Sequence, residues 1–298
     1  MIVPPFLQKG DAIGLVAPAR KIEEKELLPA IEIIKERGYQ VVMSRHLFAS
    51  ENQFAGSDIL RAADFQELLD DPEIKAVFAV RGGYGSVRII DRIDFQRFLK
   101  NPKWLAGYSD FTVFLNHLLN LNVQSLHATM PLNFPENSRQ ALQTLFDTLE
   151  GRKWQYHWSS QQQNRLGKAT GILAGGNLSV LYSLIGSPSF PDLTGKILFV
   201  EDLDEYLYHI DRMMMGLKRA GVLKNLAGLV VGGMTQMHDN TIPFGKTAEE
   251  IIRDSVKSYD FPVAFGFPAG HFADNRTLIM GAEVVLNVTE NKSELLFR

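Results

Sequence analysis

No cysteine occurs in the 298 residues. Disulfides, thiolate-bound metals and a cysteine nucleophile are thereby excluded. Excess positive charge is missing as well: 31 Lys+Arg stand against 34 Asp+Glu, a formal net charge of −3. Such a chain carries no basic footprint for nucleic acid, so no nucleic-acid partner is expected. No apolar run approaches the roughly 18 residues that a membrane-spanning helix needs, so no membrane partner is expected either. The opening MIVPPFLQKGDAIGLVAPA has neither a basic n-region nor a long apolar h-region. It does not read as a signal peptide, and a cytoplasmic location is expected. Close histidine pairs are lacking too: the seven histidines are scattered, without H-E-x-x-H spacing, so neither metal nor cofactor is expected.

What is present is ample apolar material, 45% of residues, over a length that suggests two domains. In the first half, short apolar runs alternate with helical patterns. Ala12–Ala17, Tyr39–Met43, Ala76–Val80, the run from Trp104 and Asn122–His127 read as strands. Glu23–Arg37, with Leu27, Leu28, Ile31 and Ile34 at helical spacing, and Gly56–Asp70 read as helices. This alternation predicts an α/β fold with a parallel sheet covered on both faces. Residues 1–150 are assigned to that domain. Residues 151–168, which include the polar run Ser159–Asn164, are taken as a linker. Residues 169–298 then form a smaller, β-rich α+β domain with a mixed sheet. Its strands are Gly171–Ala174, Ile197–Val200, Gly228–Val231 and Val263–Phe267, and its helices lie near Tyr206–Ala220 and Thr247–Val256.

In an open parallel sheet, ligands bind beyond the C-terminal ends of the strands. Several candidates fall at such ends. Gly107-Tyr108-Ser109-Asp110 joins a strand to a helical pattern and puts one hydroxyl at the turn. Read alone, Ser109 is most economically a helix cap. A serine lifted above a sheet and aimed at free N–H groups is also how a cysteine-free chain can hold a nucleophile. Arg81-Gly82-Gly83-Tyr84-Gly85 follows another strand and is either a tight turn or a close ligand approach. Gly175-Gly176-Asn177 opens a helix with a permissive backbone. Glu201, Asp202, Asp204 and Glu205 follow a strand and read as a solvated helix start or as a source of paired carboxylates, Glu201 and Glu205 lying one helical turn apart. His271, after Gly270 in a polar loop, has the chemistry of a general base. His127 ends a strand and reads either as a buried, hydrogen-bonded residue or as a donor supporting the site from behind, and His209 as a partner for nearby acids.

Taken in order, GDAIGLVAPA, RGGYG, GYSD, SLHATMP, GGNLSVL, LFVEDLDEYLYHIDRMM and GFPAGH resemble the LD-carboxypeptidases, a serine-peptidase family that also includes the microcin C self-immunity proteins. The resemblance runs from about Gly10 to Gly281. It implies a Rossmann-like or flavodoxin-like N-terminal domain, a smaller β-rich C-terminal domain and a site in the cleft between them. It also implies a Ser-Glu-His triad, falling on Ser109, Glu201 and His271, with oxyanion donors at the Asp110 and Gly83 backbone N–H groups. Tyr84, Gly176 and Asn177 become candidate substrate contacts, and Arg81 and Arg276 read equally as donors for a terminal carboxylate or as members of surface ion pairs. The implied substrate is a murein tetrapeptide, cut to release its terminal D-alanine in cell-wall recycling, and the implied assembly is a homodimer. Two alternatives are an acyl-sulfamoyl-adenylate hydrolase of the immunity type and a non-catalytic small-ligand binding protein. The compact chain, without an obvious nucleotide-binding insertion, favours the murein peptide. A serine in one domain with its partners in the other implies that domain orientation controls activity.

Overall fold

A computed structural model describes residues 1–298. β1 (Ala12–Val16) is buried along its whole length, as a parallel strand covered on both faces must be. In α1 (Glu24–Glu36), Leu27, Ala30, Ile31 and Ile34 face the core, and Glu23 with Glu26 forms a capping box. β2 (Gln40–Met43), α2 (Asp58–Asp70) and β3 (Ile74–Ala79) follow. The Ser57 side chain starts α2 by accepting the Leu60 N–H. The short α3 (Ser86–Ile89) and α4 (Gln96–Lys100) lead to β4 (Trp104–Gly107), α5 (Thr112–Asn120), β5 (Ser125–His127) and α6 (Arg139–Leu149). The strands pair in the order β2-β1-β3-β4-β5, all parallel, which is the flavodoxin-like order.

The second half supplies β6 (Gln155–Ser159), β7 (Gly167–Asn177), α7 (Leu178–Ser183), β8 (Ile197–Leu203), α8 (Leu207–Arg219), β9 (Gly228–Thr235), α9 (Ala248–Val256) and β10 (Val263–Phe265). Three short strands close the chain: β11 (Leu278–Met280), β12 (Glu283–Val288) and β13 (Lys292–Phe297). Seven strands form a mixed sheet in the order β10-β9-β8-β7-β12-β13-β6. The long β7 is the pivot. Its first part pairs antiparallel with β12, and its last residues pair parallel with β8.

Two features depart from the sequence reading. Residues 151–168 are not a bare linker, because they contain β6 on the edge of the second sheet. Alternation fixes that strand: Tyr156 turns inward to donate to the Thr277 carbonyl at 2.6 Å, and Trp158 Nε1 donates to the Phe265 carbonyl at 2.8 Å. Second, β11 leaves the C-terminal half and pairs antiparallel with β5, extending the first sheet to six strands. The halves are therefore stitched together. Thr112 Oγ1 accepts the Asn177 N–H at 3.0 Å, Asn116 Nδ2 donates to the Gly175 carbonyl at 3.0 Å, and the Ser138 N–H donates to the Ala273 carbonyl at 2.8 Å. The C-terminal ends of β3 and β4 face those of β7 and β8 across one cleft. No helix is long and apolar enough to cross a membrane.

Candidate active site

One wall of the cleft is shaped by backbone. At Gly107 a Cβ would lie 2.8 Å from the Phe111 ring, so only glycine lets the chain turn there. Ser109 then adopts φ 58°, in the left-handed region that costs a non-glycine residue on the order of 1–3 kcal/mol. It opens a single 3₁₀ turn ahead of α5 and caps neither element with its side chain, so the plain helix-cap reading does not hold. The Arg81–Gly85 turn comes close beside it. A Cβ at Gly82 would lie 3.3 Å from Ser109 Oγ, and Gly83 sits at φ 105°. The Gly83 and Asp110 N–H groups donate to no carbonyl of the chain.

The Asp110 side chain joins the two turns, accepting the Ser86 N–H at 2.8 Å and the Gly85 N–H at 3.4 Å. Burial raises its pKa, and those N–H groups and the Arg61 guanidinium act against the rise. Arg61 is itself buried. It donates to the carbonyls of Gly56 at 3.3 Å and Gly85 at 3.0 Å, and also to the Pro18 carbonyl and the Asp58 carboxylate.

The facing wall is a buried carboxylate–imidazole pair. Glu201 and Asp202 belong to the end of β8 and are buried, not the solvated helix start that their charge suggests. Glu201 is 0% exposed, and its Oε2 lies 2.7 Å from His271 Nδ1. Gly270, at φ 132°, makes room for this contact, since a Cβ there would lie 3.1 Å from Glu201 Oε2. Asn275 Oδ1 holds the loop by accepting the Gly270 N–H at 2.9 Å. Burial works against the charged form of His271. Glu201, with Asp202 behind it, outweighs that effect and holds the pKa above the ordinary histidine value of 6.5. Asp202 accepts from Asn177 Nδ2, the Ser179 N–H and the Leu203 N–H, each at 2.9 Å. Burial first, then the Glu201 charge, push its pKa up to about 7.

Between the walls lies a cavity of about 430 Å³, lined on one side by Gly82, Gly83, Tyr108 and Ser109 and on the other by Asn177, Asp202 and His271. Ser109 and His271 thus face one space, and the Tyr108 ring packs on the His271 ring with centroids 4.8 Å apart. No hydrogen bond joins Ser109 to His271, a contact that is often long before substrate binds. The arrangement offers a hydroxyl, a carboxylate-oriented imidazole and free N–H donors, the components of acyl transfer.

Other expected residues lie elsewhere. Tyr84 is half exposed, sits 6.1 Å from the Phe54 ring and does not line the cavity. Gly176, at φ 136°, is packing material: a Cβ there would lie 2.6 Å from Thr112 Oγ1. Asn177 reaches the cavity, but it also caps α7 by accepting the Val180 N–H at 3.1 Å. Glu205, in the loop before α8, pairs with His209 of that helix and is not a helical partner of Glu201. His127 is fully buried, as read, yet neither ring nitrogen has a hydrogen-bond partner, and burial pushes its pKa down to about 4. No three His, Asp or Glu side chains converge as a metal site. Sequence reasoning missed Arg61, because a lone arginine in a helical pattern reads as surface charge.

Comparison with known proteins places the chain in a family. Residues 13–128 match the model of the LD-carboxypeptidase N-terminal domain, and residues 170–286 match that of the LD-carboxypeptidase C-terminal domain. The chain is 35% identical over 304 residues to the probable murein peptide carboxypeptidase of Bacillus subtilis (strain 168), covering 96% of this chain and 92% of the relative. It is similar in structure to muramoyltetrapeptide carboxypeptidase from Oxalobacter formigenes, with TM-score 0.89, 31% identity and coverage of 96% and 98%. It is 23% identical to the microcin C7 self-immunity protein MccF of Escherichia coli, covering 96% of this chain and 93% of that protein. The chain therefore belongs to the serine-type LD-carboxypeptidase family.

Proposed function

We propose that the protein hydrolyses the L,D-peptide bond of a murein tetrapeptide and releases the terminal D-alanine. The observation that carries this reading is the 2.7 Å Glu201–His271 pair, which opens onto the cavity that holds the strained Ser109. With Nδ1–H donated to Glu201, His271 Nε2 is the free base. It takes the Ser109 proton as Oγ attacks the scissile carbonyl carbon. The Gly83 and Asp110 N–H groups receive the developing oxyanion, an effect worth roughly 3–4 kcal/mol per donor in a comparable hydrolase. His271 then gives the proton to the leaving amine of D-alanine. Water, activated by the same imidazole, splits the acyl-serine and restores Oγ–H.

The murein substrate follows the names of the B. subtilis and O. formigenes relatives. The test is a mass-spectrometric assay of tetrapeptide ending in D- or L-alanine, beside an acyl-sulfamoyl adenylate of the class suggested by the microcin relative. Release of D-alanine alone is expected. Faster turnover of the adenylate would move the protein to the immunity branch, and turnover of neither would overturn the reading.

A further inference from the structure

We propose that Arg20 anchors a carboxylate of the peptide substrate at the mouth of the catalytic cavity. The inference rests on the peptidase reading above. A carboxypeptidase substrate brings a free carboxylate close to the scissile bond, and a carboxylate leaving water needs charge-assisted donors.

The donors that the sequence suggests for this task are already committed. Gly176 is buried against Thr112. The Asn177 N–H goes to Thr112 and its Nδ2 to Asp202. Arg81 lines the cavity, but its guanidinium donates to the Lys21 carbonyl at 3.0 Å and lies 3.9 Å from Glu26. Arg276 is bound to Asp274 at 2.8 Å and lies outside the cavity lining.

Arg20 is the other arginine of the cavity. It is exposed, and no carboxylate of the chain lies within 4.0 Å of its guanidinium. Its position is nevertheless fixed. The Arg20 N–H donates to the Gly82 carbonyl at 3.3 Å, and the residue bridges to Phe54. Its stem lies over the turn that carries the proposed oxyanion donor, since a Cβ at Gly83 would lie 3.0 Å from Arg20 Cβ and 3.3 Å from Cδ. The far wall presents the exposed carboxylate of Asp204. A carboxylate is attracted to the arginine side and repelled from the other, so the cavity orients the peptide by charge.

The test compares Arg20→Gln and Arg20→Lys with the parent enzyme on three peptides: the tetrapeptide acid, its C-terminal carboxamide, and a peptide with its upstream carboxylates amidated. Arg20→Gln should raise KM for the acid about 10- to 100-fold with kcat within a few-fold, and Arg20→Lys should recover part of the loss. A penalty that vanishes with the C-terminal carboxamide assigns Arg20 to the leaving alanine. A penalty that vanishes only with upstream amidation assigns it to the acyl side. Equal KM for parent and Arg20→Gln on every peptide, with unchanged melting temperature, overturns the inference. A parent enzyme that releases no D-alanine overturns the murein reading beneath it.

Discussion

The wall that carries Ser109 is built from backbone: a serine at φ 58° and glycines at 105° and 153°. The wall that carries His271 is built from side chains: a fully buried carboxylate 2.7 Å from an imidazole, with a second buried carboxylate behind it. The first aims a hydroxyl and leaves N–H groups free. The second sets a tautomer and a pKa. The difference teaches that the two walls fail in different ways, the first through conformation and the second through charge. Neither wall floats freely, because β11 follows the His271 loop directly and locks onto β5 of the first sheet. The separation of serine from histidine along the chain is therefore bridged by the fold, through hydrogen bonds between the two halves.

Substitutions sharpen this contrast. Ser109→Ala should lower kcat for D-alanine release by on the order of 10⁶-fold, as loss of the nucleophile does in a comparable enzyme. Ser109→Gly should be equally inactive yet more stable, because glycine relieves the left-handed strain; thermal unfolding reads the difference. Glu201→Gln should lower kcat by about 10⁴-fold through the wrong tautomer.

It should also shift the pH profile. In the parent, Glu201 holds the His271 pKa above 6.5, so the neutral base appears, and activity rises, at higher pH than for an ordinary histidine. Without that charge, burial dominates and the rise moves to lower pH. The same pair links to stability. A histidine whose folded pKa is raised contributes stability that is fully present below its unfolded pKa and is lost as pH rises through the folded value. Gly83→Ala should lower kcat by about 10²-fold, because a side chain at φ 105° displaces the N–H donor and presses on Arg20. Asp110→Asn should have the smallest effect, about fivefold in kcat. One acceptor for the Ser86 N–H remains, and the second contact, with the Gly85 N–H, is already long at 3.4 Å. Steady-state kinetics checks both.

Much of this was legible in the residues. Alternating apolar runs and helical patterns specify the parallel sheet, because strands covered on both faces must be apolar throughout. Through the family resemblance, the GYSD, VED and GH blocks single out Ser109, Glu201 and His271; the fold brings Ser109 and His271 to one cavity and buries Glu201 behind the imidazole. What escaped is set by partners distant in sequence. β6 lies in a polar-looking stretch because an edge strand buries only alternate residues, Tyr156 chief among them. β11 is three residues long, and nothing local says which sheet it joins. Gly176 and Gly83 look alike as glycines, yet one is packed against Thr112 and the other lines the cavity. Arg61 could not be told from a surface arginine without the three loops whose carbonyls it gathers.

The central claim is that the two walls act as one catalytic unit. The direct measurement is the rate of D-alanine release by Ser109→Ala, His271→Ala and the double variant, with melting temperatures alongside. The account predicts that each single variant loses nearly all activity and that the double variant is no more than a few-fold slower than either. Losses that multiply in the double variant, or a His271→Ala enzyme that keeps most of its rate, would contradict it.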